Sequence, residues 1–348
     1  MMHRFQQQMD RKTRCSKVKS GVNGFALVLV LWVLSLLTIM AGSFALTMRR
    51  ESTVVTGIKD NAGAIAIAEA GIAIAEMMLL NPDQNKRWRA DGNIYQLDFG
   101  DTKVRLRLLS EAGKIDINNA DLTLLQALVG QTPAEAEQQA KIIGAILDWR
   151  DQDDLLNIEG AEKKEYRDAG LKYQPRNKPF QTVEELQMVL GIDERVFNIL
   201  ESMVTVYSGQ AVDPTLASSK VLKLLPSLDA GLIEDYIVAR VESAKNDLPA
   251  PNLPLTPATG GGGAGGGGAS ASEAVTIISE ARMTDETSTL VAATVMKSDA
   301  TQPLTSDGTA TPFKVLKWQR NPANEETLFT DEMTELLAKQ YVEPELSD

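Results

Sequence analysis

The sequence predicts an α+β fold in which a long N-terminal transmembrane helix packs on an antiparallel sheet and a large all-α domain is inserted between strands. Three observations predict it. A proline-free, largely apolar segment covers residues 25–80. Strand-like runs occupy residues 94–109 and 275–318, and the stretch between them has the pattern of repeated helix–turn–helix units. One sheet interrupted by a helical insert accounts for all three.

The N-terminal helix is predicted over residues 25–80, with residues 25–48 crossing a membrane. No ionisable side chain lies between Lys19 and Arg49. A helix of 24 residues spans about 36 Å, which exceeds a hydrocarbon core of about 30 Å. The net charge is −12, but residues 1–24 carry +5, so the remainder carries −17. By the positive-inside rule, this asymmetry predicts a cytoplasmic N-terminus and an exported C-terminal body.

Beyond the membrane the same helix is expected to continue. Large aliphatic residues recur every seven positions, which favours helix over strand. They are Ile58, Ile65, Ile72 and Leu79. Pro82 follows directly after Asn81, and proline cannot continue a helix.

Strands are predicted in residues 81–112 and 273–320, which together form one sheet. Apolar and charged side chains alternate in the first hairpin, which indicates one buried face. Residues 246–272 contain four prolines and eight glycines, the composition of a flexible linker. Residues 321–348 are predicted to be a peripheral tail with a short amphipathic helix over residues 332–339.

The junction between the basic leader and the apolar helix is Gly24-Phe25. Three interpretations compete for it. A secretory signal peptide would have a shorter apolar run and a small-x-small cleavage site, and a simple membrane anchor would need no cleavage. The third interpretation is a cleaved leader that ends in glycine, followed by an aromatic residue and the apolar helix.

This junction resembles the start of type IV pilins and pseudopilins. The resemblance implies a prepilin leader over residues 1–24, cut after Gly24 by a prepilin peptidase that then methylates Phe25. Most pilins have Glu at the fifth mature position, where it neutralises the terminal amine of a neighbouring subunit, but this chain has Leu29. Lack of that Glu disfavours a repeating major subunit and is a feature of the K-type minor pseudopilin of type II secretion.

Further stretches resemble the K-type family in order and spacing. They are residues 31–32 (LW), 113–118 (GKIDIN), 148–149 (DW) with Asp151 and Asp153, 160–162 (GAE) with Tyr166, 179–180 (PF), 183–186 (VEEL) and 204–206 (VTV). The resemblance implies a minor pseudopilin that caps the tip of the type II secretion pseudopilus and takes part in its assembly and in export of folded proteins across the outer membrane. The implied partners are the I-, J- and H-type minor pseudopilins, prepilin peptidase and the inner membrane, with secreted proteins as a further candidate. The implied location is single-pass in the inner membrane, with a cytoplasmic N-terminus and a periplasmic body.

Acidic and amide side chains crowd into one segment of the insert. They are Asp148, Asp151, Asp153, Asp154, Asn157, Glu159 and Glu162. Hard oxygen ligands of this kind suit calcium, but the spacing is not that of an EF-hand, since Leu155 stands where a third side-chain oxygen is expected. A solvated acidic loop is the alternative interpretation. The K-type resemblance implies calcium binding in the helical domain, and the candidate ligands are Asp148, Asp151, Asp153 and Glu162.

Residues 113–245, the predicted inserted domain, contain a weak threefold repeat that looks like the helix-hairpin-helix of DNA-binding proteins. The turns lie at residues 129–132, 190–193 and 226–229, and none has both glycines of a phosphate-binding turn. Asp193 and Asp229 put carboxylates where phosphate would lie, so nucleic acid is not an expected partner. DNA binding or uptake remains the less favoured alternative. A membrane-anchored periplasmic scaffold is another.

The composition argues against an enzyme. His3 and Cys15 are the chain's one histidine and one cysteine, and both lie in the predicted leader. Without the leader, the chain has no imidazole or thiol for the usual acyl-transfer triads, disulfides or soft-metal sites. Carboxylate pairs are abundant, but nothing distinguishes one pair from the others. We therefore expect no catalytic residues.

Overall fold

The computed structural model describes residues 23–84, 86–226, 228–253, 274–298 and 312–342. The predicted leader up to residue 22 and residues 254–272 of the predicted linker lie outside the described residues. The chain divides into two units, Met1–Asp60 and Asn61–Asp348. The first unit contains the N-terminal part of one long helix. The second contains the C-terminal part of that helix, the sheet and the insert.

The long helix, α1, spans Asn23–Leu79. It is long and apolar enough to cross a membrane. Its hydroxyl groups donate to main-chain carbonyls one turn back, as in Thr38 Oγ1 to Leu34 O at 2.8 Å and Ser43 Oγ to Ile39 O at 2.9 Å. These bonds satisfy the hydroxyls inside the helix, which a hydrocarbon environment requires. The first unit therefore fits a single-pass membrane anchor.

The second unit contains eight strands among its described residues. They are β1 Asp91–Phe99, β2 Thr102–Ser110, β3 Ile115–Asp116, β4 Val204–Thr205, β5 Ala274–Arg282, β6 Ser288–Lys297, β7 Phe313–Arg320 and β8 Leu337–Val342. Six of them form one sheet in the order β7-β6-β5-β2-β1-β8, in which only the β1–β8 pair is parallel. Strands β3 and β4 form a separate parallel pair inside the insert.

The last turns of α1 pack on one face of this sheet. Ala64, Ala68, Ile72 and Ala75 are buried there and recur at the three- and four-residue spacing of one helix face. Gly71 lies in the same face, and a Cβ atom there would come within 2.7 Å of Ser279 Oγ on β5. Small side chains thus bring the helix backbone close to the strands. These contacts lie within one chain and involve no neighbouring subunit.

The inserted domain lies between β2 and β5. Its helices are α2 Leu122–Val129, α3 Ala136–Arg150, α4 Lys163–Asp168, α5 Glu194–Glu201, α6 Ser219–Leu222 and α7 Ala230–Lys245. A further helix, α8 Asp331–Glu335, lies outside the insert and follows β7. Its core centres on Trp149, whose ring lies 6.2 Å from Tyr166 and 6.0 Å from Phe180. The buried Tyr166 hydroxyl accepts a hydrogen bond from the main-chain N–H of Leu190 at 3.0 Å. The predicted fold class is confirmed.

The C-terminal tail differs from the prediction. The expected helix over residues 332–339 is only the short α8, and residues 337–342 form β8, which extends the sheet beside β1. Ala338 is buried, and the Tyr341 hydroxyl accepts a hydrogen bond from Trp88 Nε1 at 3.0 Å. The local sequence favours helix, but the free edge of β1 offers main-chain partners that no local pattern reveals.

Residues 113–118 join the insert to the sheet. A Cβ atom on Gly113 would lie 2.5 Å from the main-chain oxygen of Leu216, so the two segments meet only because residue 113 is glycine. Asn118 accepts a hydrogen bond from Phe180 N at 2.7 Å and donates one to Phe180 O at 3.0 Å. Residues 113–118 therefore connect β2 to the rest of the insert through direct contacts on both sides.

Next to this motif, the buried carboxylate of Glu111 ties three elements together. Its Oε1 atom accepts hydrogen bonds from Lys114 Nζ at 2.7 Å and from Thr276 Oγ1 of β5 at 2.7 Å. Its Oε2 atom accepts from Thr205 Oγ1 of β4. A charge removed from water needs such partners, because leaving it unpaired would cost several kcal/mol.

We predict that Gly113→Ala lowers the free energy of unfolding by about 2 kcal/mol or more, because backbone atoms of residue 216 cannot rotate away. Thermal unfolding of the detergent-solubilised chain measures the effect. The control is Gly63→Ala in α1, where a Cβ would meet no atom within 4 Å and helix propensity predicts a gain of up to about 1 kcal/mol. Equal midpoints for Gly113→Ala and the wild type would contradict the close contact.

Candidate functional site

Three of the four predicted metal ligands lie together where α3 ends and α4 begins. Asp148 is on the buried face of α3, Asp151 follows the last residue of that helix, and Glu162 directly precedes α4. Asn157 connects the first two. Its Nδ2 atom donates to Asp148 Oδ1 at 2.5 Å and to Asp151 Oδ2 at 3.1 Å, and its main-chain N–H donates to Asp148 Oδ1 at 3.0 Å.

Each of these three carboxylates keeps one buried oxygen without a hydrogen-bond partner among the described residues. The atoms are Asp148 Oδ2, Asp151 Oδ1 and Glu162 Oε1. Buried acceptors are nearly always satisfied, by protein groups, water or an ion. Unpartnered carboxylate oxygens are the hard ligands that calcium prefers, so these three atoms are the candidates for the predicted metal ligands.

The fourth candidate, Asp153, stands apart from this group. It is exposed, and its Oδ1 atom accepts a hydrogen bond from the main-chain N–H of Leu155 at 2.9 Å. Its neighbour Asp154 accepts from Asn177 Nδ2 at 2.8 Å. The residue that sequence reasoning did not place among the ligands is Asn157, whose only local signal is an amide within an acidic run.

Two glycines bring the loop onto α3. A Cβ atom on Gly160 would lie 2.1 Å from Asp148 Oδ2, and one on Gly144 would lie 2.6 Å from the main-chain nitrogen of Gly160. Neither position has room for a side chain. The loop can therefore pack against Asp148 Oδ2 only because residue 160 is glycine.

Like charges and burial raise the pKa of two of these carboxyls. Burial is the largest cause for Glu162, followed by the charges of Asp148, Asp151 and Asp154, and together they raise its pKa to about 7. Burial also raises the pKa of Asp151, with further contributions from Asp153 and Asp148. The folded chain thus concentrates negative charge that it does not itself neutralise.

The three carboxylates do not form a coordination sphere. In the described parts of the chain, no group of three or more His, Cys, Asp or Glu side chains is arranged so that it could hold a metal ion. The NH2 group of Asn157 occupies the gap between Asp148 and Asp151. A cation between these two carboxylates would require that amide to turn.

The N-terminal candidates lie at the start of α1. Gly24 and Phe25 fall in its first turn, and the Phe25 and Leu29 side chains are both exposed. Residues 1–22 of the predicted leader lie outside the described residues. In the sequence, the Gly24-Phe25 peptide lies between the basic segment and the apolar helix.

In two of the three helix-hairpin-helix turns, the chain's own carboxylates accept hydrogen bonds from main-chain amides. Asp193 Oδ1 accepts from Val196 N at 2.8 Å at the start of α5, and Asp229 Oδ1 accepts from Gly231 N at 2.9 Å at the start of α7. A phosphate group would bind at these same amides. The carboxylates fill that position and repel an anion.

Residues 102–209 match the family model described as Type II secretion system (T2SS), protein K. The match begins in β2 and ends just after β4, so it covers the sheet–insert junction and the carboxylate group. Over these residues, the match confirms the resemblance to the K-type family of minor pseudopilins.

A search of curated proteins found no match. A chain in the crystal structure of the GspK-GspI-GspJ complex from the enterotoxigenic Escherichia coli type 2 secretion system aligns at 13% identity, with a TM-score of 0.44. The alignment covers 79% of the present chain and 99% of that one.

We predict that Glu162→Gln becomes more stable relative to the wild type as pH increases from about 5 to about 8. The quantity measured is the difference between the two thermal unfolding midpoints, with a calcium chelator present. The pKa of Glu162 lies above its ordinary 4.5, so protonation stabilises the fold at low pH, and that stability is lost as pH passes about 7. Gln keeps the neutral form, with an expected gain of about 2–4 °C at pH 8. Glu159→Gln, an exposed control in the same loop, should show no such trend. A difference for Glu162→Gln that does not vary with pH would contradict the assignment.

Proposed function

We propose that this protein is a minor pseudopilin that caps the tip of the type II secretion pseudopilus and takes part in its assembly and in export of folded proteins across the outer membrane. The observation that carries the proposal is a bulky helical domain, matched to protein K, inserted into the sheet that α1 packs on. A subunit with such an insert leaves no room for another to stack above it. The absence of Glu at position 29 agrees with a subunit that does not repeat.

The proposed partners are the I-, J- and H-type minor pseudopilins, which would dock along α1 and at the sheet edge. Strand β7 is the edge next to β6, and its Val315 and Trp318 side chains are exposed. An edge strand offers free main-chain groups beside such side chains. Secreted proteins are further candidate partners. Before assembly, the chain would lie in the inner membrane with its N-terminus in the cytoplasm and its body in the periplasm.

Leader processing tests the proposal against the alternative of a periplasmic scaffold that is only membrane-anchored. We predict that the mature chain, isolated from cells with a prepilin peptidase, begins at methylated Phe25, because Gly24-Phe25 marks the end of the basic leader. Mass spectrometry of the N-terminal peptide measures this. Cells without the peptidase provide the control and should retain the leader. An intact Met1 in the presence of the peptidase, or a cut after Ala41, would exclude the pseudopilin assignment.

We also propose that Asp148, Asp151 and Glu162 hold a calcium ion through their three unsatisfied oxygens. Rotation of the Asn157 side chain would replace its NH2 group by its oxygen, a further hard ligand. Bound there, calcium would supply the positive charge that the buried carboxylates lack. These side chains come from α3, the following loop and the start of α4, so their shared ligand would hold the three segments together.

We predict that calcium raises the unfolding midpoint of the chain by about 5 °C or more at saturating concentration, because it binds the folded state. Glu162→Gln and Asp148→Asn should lose most of this increase, since each removes a negative ligand. Glu159→Gln is the matched control and should keep it. No calcium-dependent rise in the wild type would refute the site, and an equal loss in the control would indicate nonspecific binding to an acidic surface.

A further inference from the structure

Three large aliphatic side chains project into solvent from the loop between α3 and α4. Leu155 is 75% exposed, Leu156 is 56% exposed and Ile158 is 93% exposed. Burying one such side chain is worth about 1.5–3 kcal/mol, so exposing three within four residues is unfavourable in an isolated protein. Contiguous apolar patches on soluble domains usually mark a contact site. We name these three residues the apolar loop.

The apolar loop is held in place by the residues around it. Asn157, between Leu156 and Ile158, faces inward and binds Asp148 through its main chain and its side chain. Asn177 Nδ2 donates to the main-chain oxygen of Asp153 at 2.6 Å. Asp153, which precedes the apolar loop, and Asn157, which lies within it, are thus held by hydrogen bonds. The three aliphatic side chains therefore project from an ordered segment. A loop already ordered loses less entropy when it binds.

The charges bordering the apolar loop indicate what can cover it. Residues 151–160 contain four acidic side chains and no basic one, and Asp153, Asp154 and Glu159 are exposed. An anionic lipid surface would be repelled by this border. A second copy of the chain would bring the same negative border to the contact. Basic side chains around an apolar pocket complement it.

We propose that the apolar loop is a docking site for a different protein, one that presents an apolar pocket bordered by Lys or Arg side chains. This contact lies in a segment of the insert that belongs to neither α1 nor β7, the elements assigned to other minor pseudopilins. It does not require calcium at the carboxylates. The loop would give the tip a contact directed at a component outside the filament.

The test is photocrosslinking of the full chain in its own cells, with p-benzoylphenylalanine in place of Ile158. The control places the same probe at Val238, which is 65% exposed on α7 of the same domain. We expect position 158, and not position 238, to crosslink to one protein. Mass spectrometry of the crosslinked peptide should locate the contact at an apolar site with Lys or Arg neighbours.

Variants of Glu159, Leu155 and Leu156 test whether the crosslink depends on the acidic border and on the aliphatic side chains. With the probe at position 158, Glu159→Lys should lower the yield about fivefold and Glu159→Gln less, while Leu155→Ser with Leu156→Ser should lower it about tenfold or more. All these residues are exposed, so an unchanged thermal midpoint should verify folding. Crosslinks to lipid or to a second copy, a protein crosslink indifferent to Glu159→Lys, or none above the Val238 control would each overturn the proposal.

Discussion

The whole second unit depends on how the chain leaves the sheet at Ser110 and returns to it. Ser110 of β2 pairs directly with Val275 of β5, so the insert begins and ends at neighbouring positions of one strand pair. The Glu111 carboxylate fixes this point by binding Thr276 on the returning strand and Thr205 within the insert. Because the two ends meet, a domain of any size can be accommodated there without breaking the sheet.

The buried charge of Glu111 contrasts with those of the carboxylate group. Glu111 is neutralised by Lys114 and receives hydroxyl donors on both oxygens. Asp148, Asp151 and Glu162 have no basic partner among the described ion pairs, and each retains an unsatisfied oxygen. The first arrangement stabilises a junction. The second leaves three carboxylate oxygens unpartnered next to a loop whose aliphatic side chains face solvent, so one short segment carries both the proposed cation site and the proposed contact surface.

Much of this could be predicted from local patterns. Alternation at residues 103–109 predicted the first hairpin, and the long apolar run predicted α1 to within two residues at its start. The acidic run predicted where the carboxylate group lies. Its members could not be ranked, because no local pattern shows that Asp148 lies on the buried face of α3 while Asp153 lies in the exposed loop after that helix. The tail strand β8 was missed for a related reason, since its partner β1 lies far away along the chain.

The sequence by itself determined the periodic elements, the apolar helix long enough to span a membrane, the boundary between the basic segment and that helix, and the family resemblance, because these depend on residue spacing and on charge along the chain. Only the tertiary structure decided which glycines have no room for a side chain, which carboxylates are buried, and which aliphatic side chains remain exposed. Those outcomes depend on contacts between segments far apart in sequence: Gly113 against Leu216, and β1 against β8. Burial and desolvation arise from the assembled fold, and no local pattern contains them.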